Sequence, residues 1–152
     1  MARIVLLDAG IVGLCCANPS SPGILECQAW VTGLLAAGVE VVVAEVTYYE
    51  VKRGLLWNNA IAKLGRFEGL LDDLNVIPIT FMAWDKAAEF WALLHRTGLP
   101  TAGAQALDGD AILAAVAATI AGPGDSATIA TTNVRHLARF PGVDARLWTQ
   151  IT

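Results

Sequence analysis

Two short apolar runs constrain the fold more than anything else in the chain: Ile4-Val5-Leu6-Leu7 and Val39-Glu40-Val41-Val42-Val43-Ala44. Neither is long enough to favour a helix, and neither alternates apolar with polar residues. That is the pattern of a strand covered on both faces, as in a parallel sheet. Parallel neighbours must be joined by crossovers, and the sequence between the runs supplies helices. Residues 11–25 carry Gly13, Asn18, Pro19, Ser20, Ser21, Pro22 and Gly23 and read as a loop. A helix is predicted over 28–37, closed by Gly38 at its C-terminal end. After the strand at 39–44, Thr47 is placed to cap a helix with Glu50 in the capping-box position. That helix runs through Lys63, with a break at Gly54. A third strand is predicted over 76–80. An amphipathic helix over 85–96 places Ala88, Trp91, Ala92 and His95 at helical spacing and stops at Gly98-Leu99-Pro100. The segment 108–121 is apolar around almost its whole circumference, as in a helix packed on all sides, and Gly122-Pro123-Gly124 ends it. Strands at 128–131 and, on the edge, 145–151 complete an α/β chain with helices on both faces of a mostly parallel sheet of four to five strands.

The 152 residues suit one domain spanning 1–152, large enough to bury a core without disulfides. A hydrophobic fraction of 55% against 16% charged excludes a disordered chain. No apolar run approaches the ~18 residues of a membrane span, so no membrane partner is expected. The N-terminus enters a strand at once and lacks the apolar core of a signal peptide. Of the three cysteines two are adjacent, Cys15 and Cys16, which suits small buried hydrophobes in a reducing compartment better than a disulfide framework. A cytoplasmic location is the expectation. The net charge of −4 counts against a module that coats nucleic acid through a basic field. It leaves room for a nuclease that keeps carboxylates in a cleft and Lys/Arg on the rim, where metal ions reverse the local sign.

In an open α/β sheet, ligands bind outside the carboxyl ends of the strands. Asp8 falls at that end of the first strand. Glu50 is expected in the first turn of the helix after the second strand, Asp110 in the first turn of the apolar helix, and Asn133 and His136 follow the fourth strand. Each has a local alternative: Asp8 as a turn former, Glu50 as a capping-box residue, Asp108 as an N-cap, Asp110 as a charge on a helix dipole. Together they bring like charges to one edge, which costs stability unless something positive offsets them. A divalent cation held by oxygen ligands is the economical offset.

Four segments then resemble a known family in the right order along nearly the whole chain. Leu6-Leu7-Asp8-Ala9-Gly10 resembles the opening strand motif of PIN domains. Glu45-Val46-Thr47-Tyr48-Tyr49-Glu50-Val51-Lys52-Arg53-Gly54-Leu55 is similar to the segment bearing the family's Glu, which falls on Glu50. Leu107-Asp108-Gly109-Asp110-Ala111-Ile112-Leu113-Ala114-Ala115 looks like the third motif, with its Asp on Asp110. Thr131-Thr132-Asn133-Val134-Arg135-His136-Leu137, followed by Phe140-Pro141-Gly142 and Trp148, resembles the C-terminal motif of VapC-type toxins. The resemblance implies a PIN-like three-layer α/β/α fold and an endoribonuclease dependent on Mg²⁺ or Mn²⁺. It also implies a homodimer, which the mean hydropathy of +0.54 independently favours, and often an antitoxin partner. The sequence departs from the pattern at Ala9, where relatives often carry a hydroxyl, and at His136, where many carry an acid.

On this reading Asp8, Glu50 and Asp110 are the catalytic and metal-binding residues, with Asp108 a further candidate ligand. Asn133 and His136 would hold a metal-bound water or a phosphate, and Lys52, Arg53, Arg135 and Arg139 are candidate RNA phosphate contacts. Arg135 and Arg139 share a face if their segment is helical, where a solvated surface role competes. Other chemistries fit poorly. Gly10-Ile11-Val12-Gly13 lacks the dinucleotide spacing and no P-loop is present. The cysteines and two histidines do not match zinc spacings, and Gly10 stands where a dehalogenase-type phosphatase needs an Asp. His95 reads as a partly buried structural residue, and the five tryptophans as core or dimer packing. The rival reading is a PIN-fold module that binds RNA or a protein partner with little turnover.

Overall fold

The computed structural model describes residues 1–98 and 104–152, the side chains of 104–106 excepted. The elements run β1 (Arg3–Leu7), α1 (Ala9–Cys15), α2 (Pro22–Ala36), β2 (Glu40–Ala44), α3 (Glu45–Trp57), α4 (Ile61–Asp73), β3 (Asn75–Ile77), α5 (Phe81–Arg96), α6 (Ala104–Ile120), β4 (Ser126–Thr131), α7 (Val134–Leu137) and β5 (Asp144–Leu147), with a 3-10 turn at Trp148–Gln150. The sheet order is β3-β2-β1-β4-β5, and every pairing is parallel, with Leu6 opposite both Val42 and Ile129.

The unbroken apolar runs have a direct cause. Ile4, Leu6, Val42, Ala44 and Ile129 pack against α5 and α6. Their neighbours Val5, Leu7, Val41, Val43 and Ala130 pack against α1, α2 and α4 on the other face. Successive residues of a strand point to opposite faces, so a strand covered twice has no position left for a polar side chain. The result is a three-layer α/β/α sandwich. Among the described residues no helix is long and apolar enough to cross a membrane.

Several sequence expectations need correction. The segment 11–25 is not a loop: it holds most of α1 and the first turn of α2. Asp8 caps α1, and Ser21 caps α2 with Pro22 in the first turn. Pro at that position starts a helix, because its missing N–H would have had no partner there. The Thr47–Glu50 capping box does not form. α3 follows β2 directly from Glu45, which leaves Thr47 buried inside the helix. Glu45 is the residue that reaches out, its carboxylate accepting the Ile79 N–H at 2.7 Å. The break falls not at Gly54 but at Asn58–Ala60, where Asn59 adopts a left-handed φ of 50°. α5 begins four residues earlier than expected, with Thr80 as its N-cap. α6 is helical from Ala104, so Asp108 is no N-cap and Asp110 lies beyond the first turn. α5 ends at Arg96, two residues before Gly98, which has a positive φ of 68°; Leu99 and Pro100 lie outside the described residues.

Candidate functional site

From β1 the chain leaves toward β2 and β3 on one side, and β4 and β5 line up on the other. The carboxyl ends of β1 and β4 therefore flank the topological switch point, where helices diverge and a crevice opens. Asp8 stands there. One carboxylate oxygen accepts the Ile11 N–H at 3.0 Å, and the other accepts the hydroxyl of Thr131 from the end of β4. Thr131 is fully buried and in turn accepts the Asn133 N–H at 2.9 Å. Asp8 is thus gripped by both strands of the switch point.

Glu50 from α3 and Asp110 from α6 join Asp8 around one cavity of about 90 Å³, with Gly10 and Gly109 on its wall. A Cβ at Gly109 would collide with the Glu50 carboxylate, so a larger residue there would push that flexible side chain aside. All three acids are pushed above their ordinary pKa, in each case chiefly by burial. Mutual repulsion adds to this. Asp110 and Asp8 raise Glu50, and Asp8 raises Asp110.

The cations are unevenly placed. His136 Nδ1 lies 3.7 Å and an Arg139 guanidinium nitrogen 3.9 Å from the same Asp110 oxygen, and both pull the Asp110 pKa downward. Arg139 also donates through Nε to the His136 carbonyl at 2.9 Å, which fixes the two as a unit. α7 ends at Leu137, so Arg135 and Arg139 do not share a helix face. Arg135 is exposed while Arg139 is drawn inward. Arg53 lies over the Tyr49 ring at 5.0 Å and lowers the Glu50 pKa. Lys52, two residues along α3 from Glu50, is paired with Glu68 at 3.3 Å on another face. Asn133 is exposed at the start of α7 without a side-chain cap. Asp108 does not line the cavity of the three acids. It lines a neighbouring groove of about 750 Å³ that Glu50 also borders, with Glu45, Arg53, Tyr48, Tyr49, Trp84 and Ile112. The residues that sequence reasoning missed are Thr131 and Gly109. The Thr131-Thr132-Asn133 run after a strand was the available signal for the first, and Gly between two Asp residues for the second.

His95 is exposed rather than partly buried, and its ring stacks on Trp91 at 3.6 Å. Trp30 and Trp148 pack on each other at 5.5 Å, as core residues should. Trp57, Trp84 and Trp91 are surface residues.

Solved structures share this arrangement of elements. A chain of the VapBC2 complex of Rickettsia felis, bound to a DNA fragment from its promoter, matches at 18% identity and TM-score 0.72, over 95% of this chain and 98% of that one. A DNA-bound VapBC structure from Salmonella typhimurium matches at 22% identity and TM-score 0.69, over 97% and 99%. VapBC-1 of nontypeable Haemophilus influenzae matches at 18% identity and TM-score 0.68, over 97% and 99%. The fold is PIN-like. No protein-family model matches the sequence, and no curated protein matches it.

The donor set of this PIN-like crevice suits a hard divalent cation: three carboxylates, no thiolate, and one nearby imidazole. Among the described residues, no three His, Cys, Asp or Glu side chains are gathered closely enough to enclose an ion by themselves.

Proposed function

We propose that this protein is an endoribonuclease dependent on Mg²⁺ or Mn²⁺, and that Asp8, Glu50 and Asp110 hold the cation. The observation that carries the reading is the convergence of these three acids, from three separate segments, on one small cavity at the switch point. Burial raises the pKa of all three, and repulsion between carboxylates raises Glu50 and Asp110 further, a cost that a cation would relieve. When bound, the cation would make a coordinated water acidic and offset charge on the scissile phosphate. The protein's own part is to hold the carboxylates. Thr131 and the start of α1 orient Asp8, and Gly109 leaves room for Glu50. Arg53 sits on the rim for an RNA phosphate, and His136 and Arg139 are close enough to turn toward one.

The test is cleavage of a structured RNA by purified protein in Mn²⁺ or Mg²⁺, with loss of activity in EDTA. Asp8→Asn and Asp110→Asn should each lower the rate by at least about 100-fold, and Glu50→Gln by less if it acts through water. If Asp8→Asn cleaves as fast as wild type, the activity belongs elsewhere.

One observation favours the rival reading of a PIN-fold module with weak turnover. Asp110 is already paired with His136 and Arg139, so a cation must compete for it. His136→Asp separates the two. It should raise the rate, or lower the metal concentration needed, in an enzyme limited by its metal site. It should change nothing in a binding module.

The structural neighbours are VapBC complexes, which supports an antitoxin as partner and a toxin role for this chain. The groove beside the acids sets Tyr48, Tyr49, Trp84 and Ile112 next to Glu45, Arg53 and Asp108, a mixed surface that suits an amphipathic segment. Co-expression with a small neighbouring reading frame, followed by co-purification lost on Trp84→Glu, tests this.

A further inference from the structure

The face of the sheet opposite α5 and α6 holds two thiols that the proposed nuclease chemistry does not use. Cys15 is the last residue of α1 and Cys27 lies in the second turn of α2. Their sulfurs are 4.0 Å apart. Gln28, next to Cys27, donates its side-chain amide to the carbonyls of Leu14, Cys15 and Ala17 at 3.4, 3.2 and 3.1 Å. This clamp satisfies the open end of α1 and holds the two helices in the register that brings the thiols together. Cys15 is partly exposed and opens onto a surface cavity of about 220 Å³ shared with Thr32, Leu35, Leu70 and Asp73. Cys27 is fully buried behind it. Cys16, although adjacent in sequence, is directed elsewhere, its sulfur 3.7 Å from the Gly13 carbonyl.

We propose that Cys15 and Cys27 are a redox-active thiol pair that closes into a disulfide by exchange with a low-molecular-weight disulfide. Cys15, the reachable thiol, would lose its proton and attack the small disulfide. It forms a mixed disulfide and releases one small thiol. The Cys27 thiol then loses its proton and attacks the Cys15 sulfur, releasing the second small thiol. Two protein thiols are oxidised and one small disulfide is reduced to two thiols. The sulfurs must approach by about 2 Å to reach bonding distance, a shift on the scale of side-chain rotation. In the reduced pair the hydrogen bond between the two sulfurs, and burial, push the Cys15 thiol above its ordinary pKa, so the exchange should quicken as pH rises. The bond would tie α2 to the far end of the helix whose N-cap is Asp8, so the oxidation state sets how firmly that helix is held.

The reduced protein is incubated, folded, with oxidised glutathione, and intact mass, peptide map and melting temperature are recorded. The mass should fall by two hydrogens with no glutathione retained. Cleavage after Glu26 should leave the peptide containing Cys15 linked to the one beginning at Cys27. The melting temperature should rise by about 5–10 °C, as expected for closing a loop of this length, and fall back with dithiothreitol. Cys16→Ala should behave as wild type, and Cys15→Ala should form no bridge. Unreacted thiols, a lasting glutathione adduct, or a bridge through Cys16 or between two chains would overturn the proposal. Cys16→Ala decides the matter even if Cys15→Ala fails to fold, because Cys15–Cys27 is then the one bridge a single chain can form.

Discussion

The three acids carry the same kind of charge into the same cavity but differ in what else they touch, and their substitutions should differ accordingly. Asp8 is an N-cap and a hydrogen-bond acceptor for Thr131. Asp110 is the counter-charge of His136 and of Arg139, whose side chain is only 13% exposed. Glu50 has burial and two carboxylates against it and only the exposed Arg53 in its favour. Neutralising Glu50 without metal therefore removes mostly repulsion and desolvation. Neutralising Asp110 also strips a partner from a nearly buried cation, which costs what the lost repulsion gains. Glu50→Gln should raise the melting temperature of the metal-free protein, and Asp110→Asn should raise it less or not at all. Scanning calorimetry in EDTA gives both values, and a larger gain for Asp110→Asn would show that the contacts from His136 and Arg139 contribute little. At this scale the sequence was informative about which acids matter and uninformative about their partners. A strand end and a helix turn place a carboxylate, but only the packing of α6 against α7 brings Arg139 onto Asp110.

Elements were legible where burial dictates composition and less so where helix ends decide. β1 and β2 could be read because residues facing two cores must be apolar throughout. α1 was missed because it is a seven-residue helix containing two Gly residues, short enough that its stability comes from packing rather than from propensity. The start of α2 was missed because Ser-Pro-Gly reads equally well as a turn and as a cap followed by a first helical turn. The α3–α4 break was expected at Gly54, yet a Gly inside a helix costs only about 1 kcal/mol and packing overrides it. The real corner depends on Asn59 in the left-handed region, which Asn tolerates better than other side chains. Asn59→Ala should therefore destabilise the protein by about 1 kcal/mol, and Asn59→Gly should be close to neutral. Urea unfolding of the pair measures the difference, and an Ala variant as stable as the Gly variant would mean the corner relaxes without strain.

For the whole molecule, two consequences follow from where charge and apolar surface collect. Trp57 is 90% exposed, Ile61 73% and Phe81 85%, more large apolar surface than a lone small protein usually leaves in water. A two-fold homodimer is the expected state, and light scattering at tens of micromolar protein that gives the mass of one chain would exclude it. The acids make the second consequence, a linkage between protons, metal and folding. Each of Asp8, Glu50 and Asp110 has a folded pKa above its ordinary value, so between those two values the folded state binds more protons than the unfolded state. Their contribution to stability is then fully present below the unfolded carboxylate range and is lost as pH rises through the raised folded values. In EDTA this contribution should make the melting temperature fall as pH rises from about 4 toward neutrality. A divalent cation reverses the logic, because it binds the ionised acids of the folded state and must displace their protons. Mn²⁺ at 100 times its dissociation constant stabilises by about 2.7 kcal/mol. At a fixed Mn²⁺ concentration the gain should be larger at about pH 7.5 than at about pH 5, since the acids are already ionised there. Asp8→Asn should shrink the gain at both. Melting curves of wild type and Asp8→Asn at the two pH values, each with EDTA and with Mn²⁺, complete the comparison. A metal-induced shift that ignores both pH and Asp8 would place the cation somewhere other than this crevice.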